Sequence, residues 1–502
     1  MPLSNLPLEL LPQLLAPLVS RRDLVNVSLV NREWRLVGQQ LLYRWIRLFG
    51  RDLAIALTLF QTLADCPHLA RLVRTLEIRV YPLSMKVEEA RAIEAVAIKA
   101  LRNCVNCESL VWTRKGALTD RVWEAINTLP RLRSFEFNAH TNLSPGSWDA
   151  DHLLNLPPLR SMSLILPDRA VSNIIPAFLN SQRQKSGEEN QLLLEELSIL
   201  CRESTVINDK VVFALAPAMS GSRIRSLAFA GCSKLTGDPL LALLPHLPHL
   251  RNLALEACNL DPSFYTLAAP HLAQLHSLKL THPGPRHPTL PAFFPALETL
   301  LSEATSLTAF TLYHSGAAST GRREWPILPD GFVQHLAATV GPRLRKFEVS
   351  GVLVSVDAVE VMTPAARELR NLVLHLGTEF DLARLTATFA YLTSLRTVHL
   401  LSQRADVSPD DVLDLAEQCS PTLRQVGFRN RVWIVKRSFV PSTEQGGQDT
   451  VKVRFLETAA AFGAFRRNKY GAESDLETEA EEPDSEDEQS ASSSDENEDE
   501  AG

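Results

Sequence analysis

Cys104 and Cys107 stand at Cys-x-x-Cys spacing, half of what a structural zinc requires, but no second pair follows at metal spacing and no metal is expected. His246 and His249 fall in a doubled Pro-His-Leu phrase before an apolar run and read as loop residues. The sequence has no phosphate-binding glycine loop, no Gly-x-Ser-x-Gly elbow and no His-Glu-x-x-His pair, so neither a catalytic residue nor a cofactor is expected. The chemistry left is binding. Its most regular mark is an arginine directly after an apolar residue, at Arg133, Arg160, Arg225, Arg251, Arg345, Arg370, Arg396 and Arg424. Such a column is either a basic ridge or a row of stems covering apolar surface with wet heads. No nucleic-acid motif accompanies it, so a nucleic-acid partner is not supported.

The elements that position this column emerge from self-similarity. An apolar residue, another three on and a third two beyond that recur at Leu132/Phe135/Phe137, Leu159/Met162/Leu164, Leu194/Leu197/Ile199, Ile224/Leu227/Phe229, Leu250/Leu253/Leu255 and Leu275/Leu278/Leu280. The phrase continues through Leu307/Phe310/Leu312, Leu344/Phe347/Val349, Leu369/Leu372/Leu374, Leu395/Val398/Leu400 and Leu423/Val426/Phe428, with weaker copies at Val73/Leu76/Ile78 and Cys107/Leu110/Trp112. These thirteen units recur about every 29 residues, a period that resembles leucine-rich repeats. Each phrase predicts a strand, and between phrases lie helical segments; the clearest starts at Ser408 as N-cap with Pro409 at the first helical position. The string from Ile224, with Cys232 after the strand and Cys258 one repeat on, resembles the cysteine-containing repeat common in F-box proteins, and both cysteines are expected to be buried structural residues.

Period-2 alternation leaves the residue between the inward pair on the opposite face of a parallel sheet. That column reads Glu136, Ser163, Ser198, Ala228, Ala254, Lys279, Thr311, Glu348, Val373, His399 and Gly427. It is bland in the middle and richer toward repeats nine to thirteen. Tyr313, Lys346, Glu348, His375, His399 and Arg429 are therefore the candidate contacts for a protein substrate, set against the plainer reading of ordinary solvated strand residues. Ser181 to Gln191, Thr281 to Pro291 and Ser315 to Asp330 are polar or Pro-rich insertions, either surface loops or recognition elements.

Residues 1–50 do not fit the repeat. Their landmarks are Leu6, Pro7, Glu9, Leu10, Leu14, Leu18, Asp23, Leu24, Val27, Val30, Trp34, Leu41, Leu42 and Trp45, with helical spacing through Leu24 to Trp34 and again through Leu41, Leu42 and Trp45. Asp23 is the expected N-cap of the second helix. Pro12 fits a first turn, whereas Pro17 is expected to end the first helix. The Leu-Pro-x-Glu opening, Asp-Leu step, Val-x-x-x-Trp step and closing Trp resemble the F-box. With the repeats, the chain resembles F-box/leucine-rich-repeat proteins of fungal-like type.

That resemblance implies docking to a Skp-type adaptor, and through it to cullin and RING subunits of a ubiquitin ligase, while the repeats hold an unknown substrate. Leu6, Pro7, Leu10, Leu14, Leu24, Val27, Val30 and Trp34 become the adaptor-facing candidates. The competing reading is that these helices only cap the solenoid, as terminal repeats require.

The implied fold class is α/β: a three-helix F-box, then a curved solenoid with its parallel sheet concave and its helices convex, then a disordered acidic tail. The expected boundaries are 1–50 for the helical module, 51–435 for the repeats, 436–471 for a linker or cap and 472–502 for the tail. Of 58 Asp and Glu, fifteen lie between Glu473 and Glu500, where there is no Lys or Arg. The other 43 are outnumbered by 51 Lys and Arg, so the body is basic by about eight charges and the tail is acidic. Ser474, Ser485, Ser492 and Ser493 each have an acid three residues on, a pattern resembling acidophilic kinase sites. The tail's open roles are folding back on the basic body, holding basic partners, or solubility.

Seven scattered cysteines, no signal-peptide pattern and no apolar run long enough to span a membrane point to cytosol or nucleus. A second reading is an acidic-tailed leucine-rich scaffold or histone-binding protein outside any ligase. A GTPase-activating protein of the Ran type also joins such repeats to an acidic tail, but its regular Asn position is not seen here.

Overall fold

The computed structural model describes residues 8–16, 18, 20–48, 53–81, 87–143, 146–185, 191–314, 325–404, 406–440 and 450–457. Leu6, Pro7, Pro17 and the four tail serines lie outside them, as do parts of the insertions at 181–191 and 315–330. Three short helices open the chain: α1 (Leu11–Leu15), α2 (Arg21–Ser28) and α3 (Arg32–Arg44).

The first eight strands are β1 (Trp45–Leu48), β2 (Thr75–Ile78), β3 (Ser109–Trp112), β4 (Ser134–Asn138), β5 (Ser161–Ile165), β6 (Glu196–Leu200), β7 (Ser226–Ala230) and β8 (Asn252–Glu256). Then come β9 (Ser277–Thr281), β10 (Ala309–Tyr313), β11 (Lys346–Leu353), β12 (Asn371–His375), β13 (Thr397–Leu401), β14 (Gln425–Phe428), β15 (Arg431–Val440) and β16 (Thr450–Glu457). In the sheet each strand lies beside its sequence neighbours, from β1 to β16 in order. The pairs are parallel as far as β14, then β15 and β16 add on antiparallel.

A parallel pair needs a crossover, and here that crossover is usually a helix whose buried residues join one core with the inward strand residues. That core is continuous from Ile46 to Val435. The thirteen phrases coincide with β2 to β14, because each three-residue apolar set offers two side chains to the core from one strand, as with Phe347 and Val349, both fully buried. Polar caps start the crossovers. Thr119, Asp168, Asn208, Ser355 and Asp381 each accept a backbone N–H three residues on, and Ser408 adds a capping box with Asp411. The curved sheet with helices behind it is a repeat solenoid.

Several expectations need correction. Trp45 does not close a helix: α3 ends at Arg44, and Trp45 begins β1, whose Ile46 and Leu48 turn inward and whose backbone pairs with β2. The sheet thus begins inside the stretch assigned to the N-terminal module. Ser20, not Asp23, caps α2, its hydroxyl accepting the Asp23 N–H at 3.4 Å, while Asp23 sits in the first turn. Pro12 lies in the first turn of α1, where no helical N–H is lost, and α1 stops at Leu15, two residues before Pro17. Within the span expected as linker or cap, β15 runs to Val440 and β16 occupies Thr450–Glu457, an antiparallel extension of the sheet that leaves that expectation standing. His282, in an insertion expected at the surface, is buried against Phe293, Phe294 and His314.

Candidate functional site

The N-terminal helices have a core of their own. Leu11 and Leu15, one turn apart on α1, bury against Val37 of α3, with Leu18, Val27, Trp34 and Leu41 partly buried around them. Asn31 caps α3 by accepting the Trp34 N–H at 2.8 Å. Gly38 lets α2 and α3 meet, because a Cβ there would collide with the Ser28 hydroxyl and crowd the Leu24 carbonyl. Four buried large apolar side chains, Leu11, Leu15, Val37 and Leu24, leave much of the module's apolar surface uncovered. Of the sixteen large hydrophobic residues exposed among the described residues, six fall on residues 10–36. They are Leu10, Leu14, Val25, Leu29 at 72 %, Val30 at 61 % and Leu36.

The adaptor-facing candidates therefore divide. Leu10, Leu14 and Val30 are exposed, Val27 and Trp34 are half-buried, and Leu24 is buried beside a cleft of about 340 Å³ lined also by Leu15, Leu18, Leu41 and Trp45. Burial removes Leu24 from the accessible set, because its side chain already serves the module. Val25, Leu29 and Leu36 were missed. For the first two the signal was present in their i, i+4 spacing, which extends an apolar face beyond the F-box-like landmarks.

Trp45 fastens the helices to the sheet. Its indole N–H donates to Glu77 Oε1 at 2.9 Å, and the Arg47 guanidinium lies 4.7 Å from its ring centroid while donating to Glu77 at 2.7 and 3.1 Å. Glu77 and Arg47 pair in register on the middle column, which continues through Val111 to Glu136. Arg79 stands 3.7 Å from Glu136, whose carboxyl is pushed up by burial, with Arg79 opposing that shift.

Farther along the concave face, Lys279 pairs with buried Glu256 at 2.8 Å and lies 5.5 Å from the Tyr313 ring centroid. Lys346 pairs with Glu348 at 2.8 Å on one strand. The substrate candidates are not one patch of equal access. Tyr313, Lys346 and Glu348 are half-buried and close in register on β10 and β11. His375 is mostly buried, its ring 4.7 Å from that of Trp325. Arg429 is exposed in the β14–β15 turn at φ +55°.

His399 is a correction. Its ring is fully buried and lies over Gly427, where a Cβ would strike it, so a docked protein cannot touch it in this conformation. Burial also lowers its pKa to about 4.

Cys104, Cys107 and Cys232 are buried, and Cys258 is partly buried against the core. Burial pushes the Cys107 thiol up to about 12, which keeps it protonated and unreactive. Among the described residues no group of three or more His, Cys, Asp or Glu could hold a metal ion, and no helix is long and apolar enough to cross a membrane.

Thirteen consecutive strands carry the Leu-x-x-Leu-x-Leu type of phrase in parallel register, with helical or turn crossovers behind them, and this geometry decides the fold. The chain is a leucine-rich-repeat solenoid. No protein family and no curated protein matches it in sequence. Among solved structures, this solenoid is similar to the crystal structure of a TLR13–ssRNA13 complex, at 16 % identity and a TM-score of 0.36. The match covers 73 % of this chain and 58 % of the other, so the solenoid spans less than two thirds of that protein.

Proposed function

We infer that the protein is a non-catalytic substrate-recognition subunit of a Skp–cullin–F-box ubiquitin ligase, working in cytosol or nucleus, with the N-terminal helices docking a Skp-type adaptor and the solenoid holding a protein substrate. The observation that carries this reading is the concentration of exposed apolar side chains on residues 10–36, where six of the sixteen described fall, beside a core that gathers only Leu11, Leu15 and Val37. A terminal cap has the opposite task, to end an apolar core with a polar outer face. Exposed Leu10, Leu14, Leu29 and Val30 suit a partner whose own apolar surface covers them. The F-box-like order of landmarks gives the partner's identity. Cullin and RING subunits join through that adaptor.

The test is retention of a purified Skp-type adaptor by the full chain carrying Leu14→Glu, Leu29→Glu and Val30→Glu, with Leu267→Glu, equally exposed on the solenoid, as control. A loss of at least about tenfold, near 1.4 kcal/mol, is expected for the triple variant and none for the control. Unchanged retention by the triple variant sinks the reading. These substitutions test more cleanly than removal of residues 1–48, which would also delete β1 from the sheet.

A further inference from the structure

The arginine column is a ridge with a continuous backbone spine, and its two halves differ. One position per repeat, just before the strand, donates its N–H to the carbonyl of the same position in the preceding repeat at 2.7 to 3.0 Å, from Arg44 to Arg424. That register sets successive side chains roughly 4.8 Å apart along one edge of the sheet.

In the first half of this spine two positions are acidic and pair with three of the neighbouring arginines. Glu108 pairs with Arg74 at 3.0 Å, and Glu195 stands 3.7 Å from Arg160 and 4.0 Å from Arg225. The second half has no acid in line. It ends in four consecutive arginines, Arg345, Arg370, Arg396 and Arg424, joined by three spine bonds of 2.8 Å each. Arg345 has Glu368 at 3.2 Å, but among the described residues no carboxylate lies within ion-pair distance of the other three. Arg396 and Arg424 also line a cleft of about 270 Å³. Its third arginine, Arg437, donates to the carbonyls of Leu423, Ala416 and Ser420 and so braces the wall instead of offering charge.

We propose that this four-arginine ridge is the docking surface for the chain's own acidic segment, Glu473 to Glu500. Charge complementarity is the first support: fifteen carboxylates without a Lys or Arg meet an edge whose cations lack in-line partners. Reach is the second. β16 ends at Glu457, two strands from Arg424, so the ridge begins roughly 10 Å away and runs for roughly 14 Å more. Fifteen residues, 458–472, separate β16 from the acidic segment, and fifteen residues of chain can reach up to about 50 Å, which is more than the ridge requires. Phosphate on Ser474, Ser485, Ser492 or Ser493 would tighten the contact by adding charge that arginine forks bind well. This inference stands whether or not the N-terminal helices dock an adaptor.

A Glu-specific protease reads the contact on the intact protein, since the segment is rich in Glu. In the full chain, cutting between Glu473 and Glu500 is expected to be roughly tenfold slower at low salt than in a variant carrying Arg370→Gln, Arg396→Gln and Arg424→Gln, with the difference shrinking as salt rises. Arg133→Gln with Arg160→Gln, in the first half of the ridge, should keep the protection. The charge-reversed Arg396→Glu/Arg424→Glu chain, with its unfolding midpoint measured alongside, checks that charge and not misfolding releases the segment. Equal cutting of the wild-type and triple-Gln chains at low salt overturns the proposal. So does wild-type capture of single-stranded RNA that depends on the same three arginines while tail cutting is unaffected, which would give the ridge to a nucleic acid.

Discussion

The N-terminal helices and the solenoid solve the same problem with unequal resources. The solenoid stacks similar modules, so its inward residues find neighbours before and behind them, and its core runs unbroken over some 390 residues from Ile46 to Val435. The helical module, α1 to α3, closes on Leu11, Leu15 and Val37 and leaves Leu29 and Val30 mostly in water. Repetition buries surface cheaply, whereas a small bundle can retain apolar surface for a partner. A module of this kind is poorly stabilised alone and gains by whatever covers it.

The largest expected effect breaks the solenoid side of this contrast. Phe347 is fully buried on β11 between strands that pair through Phe310 and Leu372. Phe347→Ala should cost about 3–5 kcal/mol and lower the denaturant midpoint of the main unfolding transition. Leu15→Ala in the module should leave that transition in place and produce a separate, earlier loss of helix signal by circular dichroism. If both substitutions shift one common transition equally, the two cores are a single cooperative unit and the contrast fails.

An intermediate effect follows from histidines that only the solenoid buries. His282 and His399 are both held at about 4, chiefly by burial, with His314 adding to the shift of His282. Their unfolded-state value is near 6.5, so between pH 6.5 and 4 the unfolded chain binds protons that the folded chain excludes. Stability present above pH 6.5 is therefore lost as pH falls toward 4, at up to about 1.4 kcal/mol per pH unit for each histidine. Urea titrations across this window should show that slope, and His282→Gln should remove one histidine's share of it. A slope unchanged by His282→Gln would mean that other groups carry the acid sensitivity.

The two regions also differed in how legible they were. β2 to β14 could be read from the sequence because each apolar phrase has one use, to fill a strand–helix sandwich. β1 could not, since Trp45 follows α3 with no break and continues its helical spacing, and pairing with β2 decides its conformation. β15 and β16 lack the repeat phrase and form an antiparallel extension beyond the last repeat. At the site, alternation assigned the concave columns correctly but could not assign access. His399 has the right parity for solvent, yet the missing side chain of Gly427 gives its ring a place to lie down. In the module, the F-box-like landmarks marked Leu24, which is buried, and passed over Leu29, which is the most exposed large hydrophobic residue described.

The smallest effect compares how the two regions cap a helix. Ser408 accepts the Asp411 N–H at 3.2 Å, while the Asp411 carboxylate accepts both the Ser408 N–H and its hydroxyl at 2.8 Å, which holds the Asp411 carboxyl below its ordinary range. Ser20 offers one bond at 3.4 Å, near the limit of useful geometry. Ser408→Ala should destabilise the last repeats by about 1 kcal/mol, seen as faster amide exchange over 409–418, whereas Ser20→Ala should cost only a few tenths. The reason is reciprocity: removing Ser408 strands an ordered carboxylate together with the helix N–H groups, while α2 keeps its place through packing against α3. Equal exchange changes at both ends would show that the long Ser20 bond holds the module as firmly as the capping box holds the solenoid, and that the module's weakness lies in its core alone.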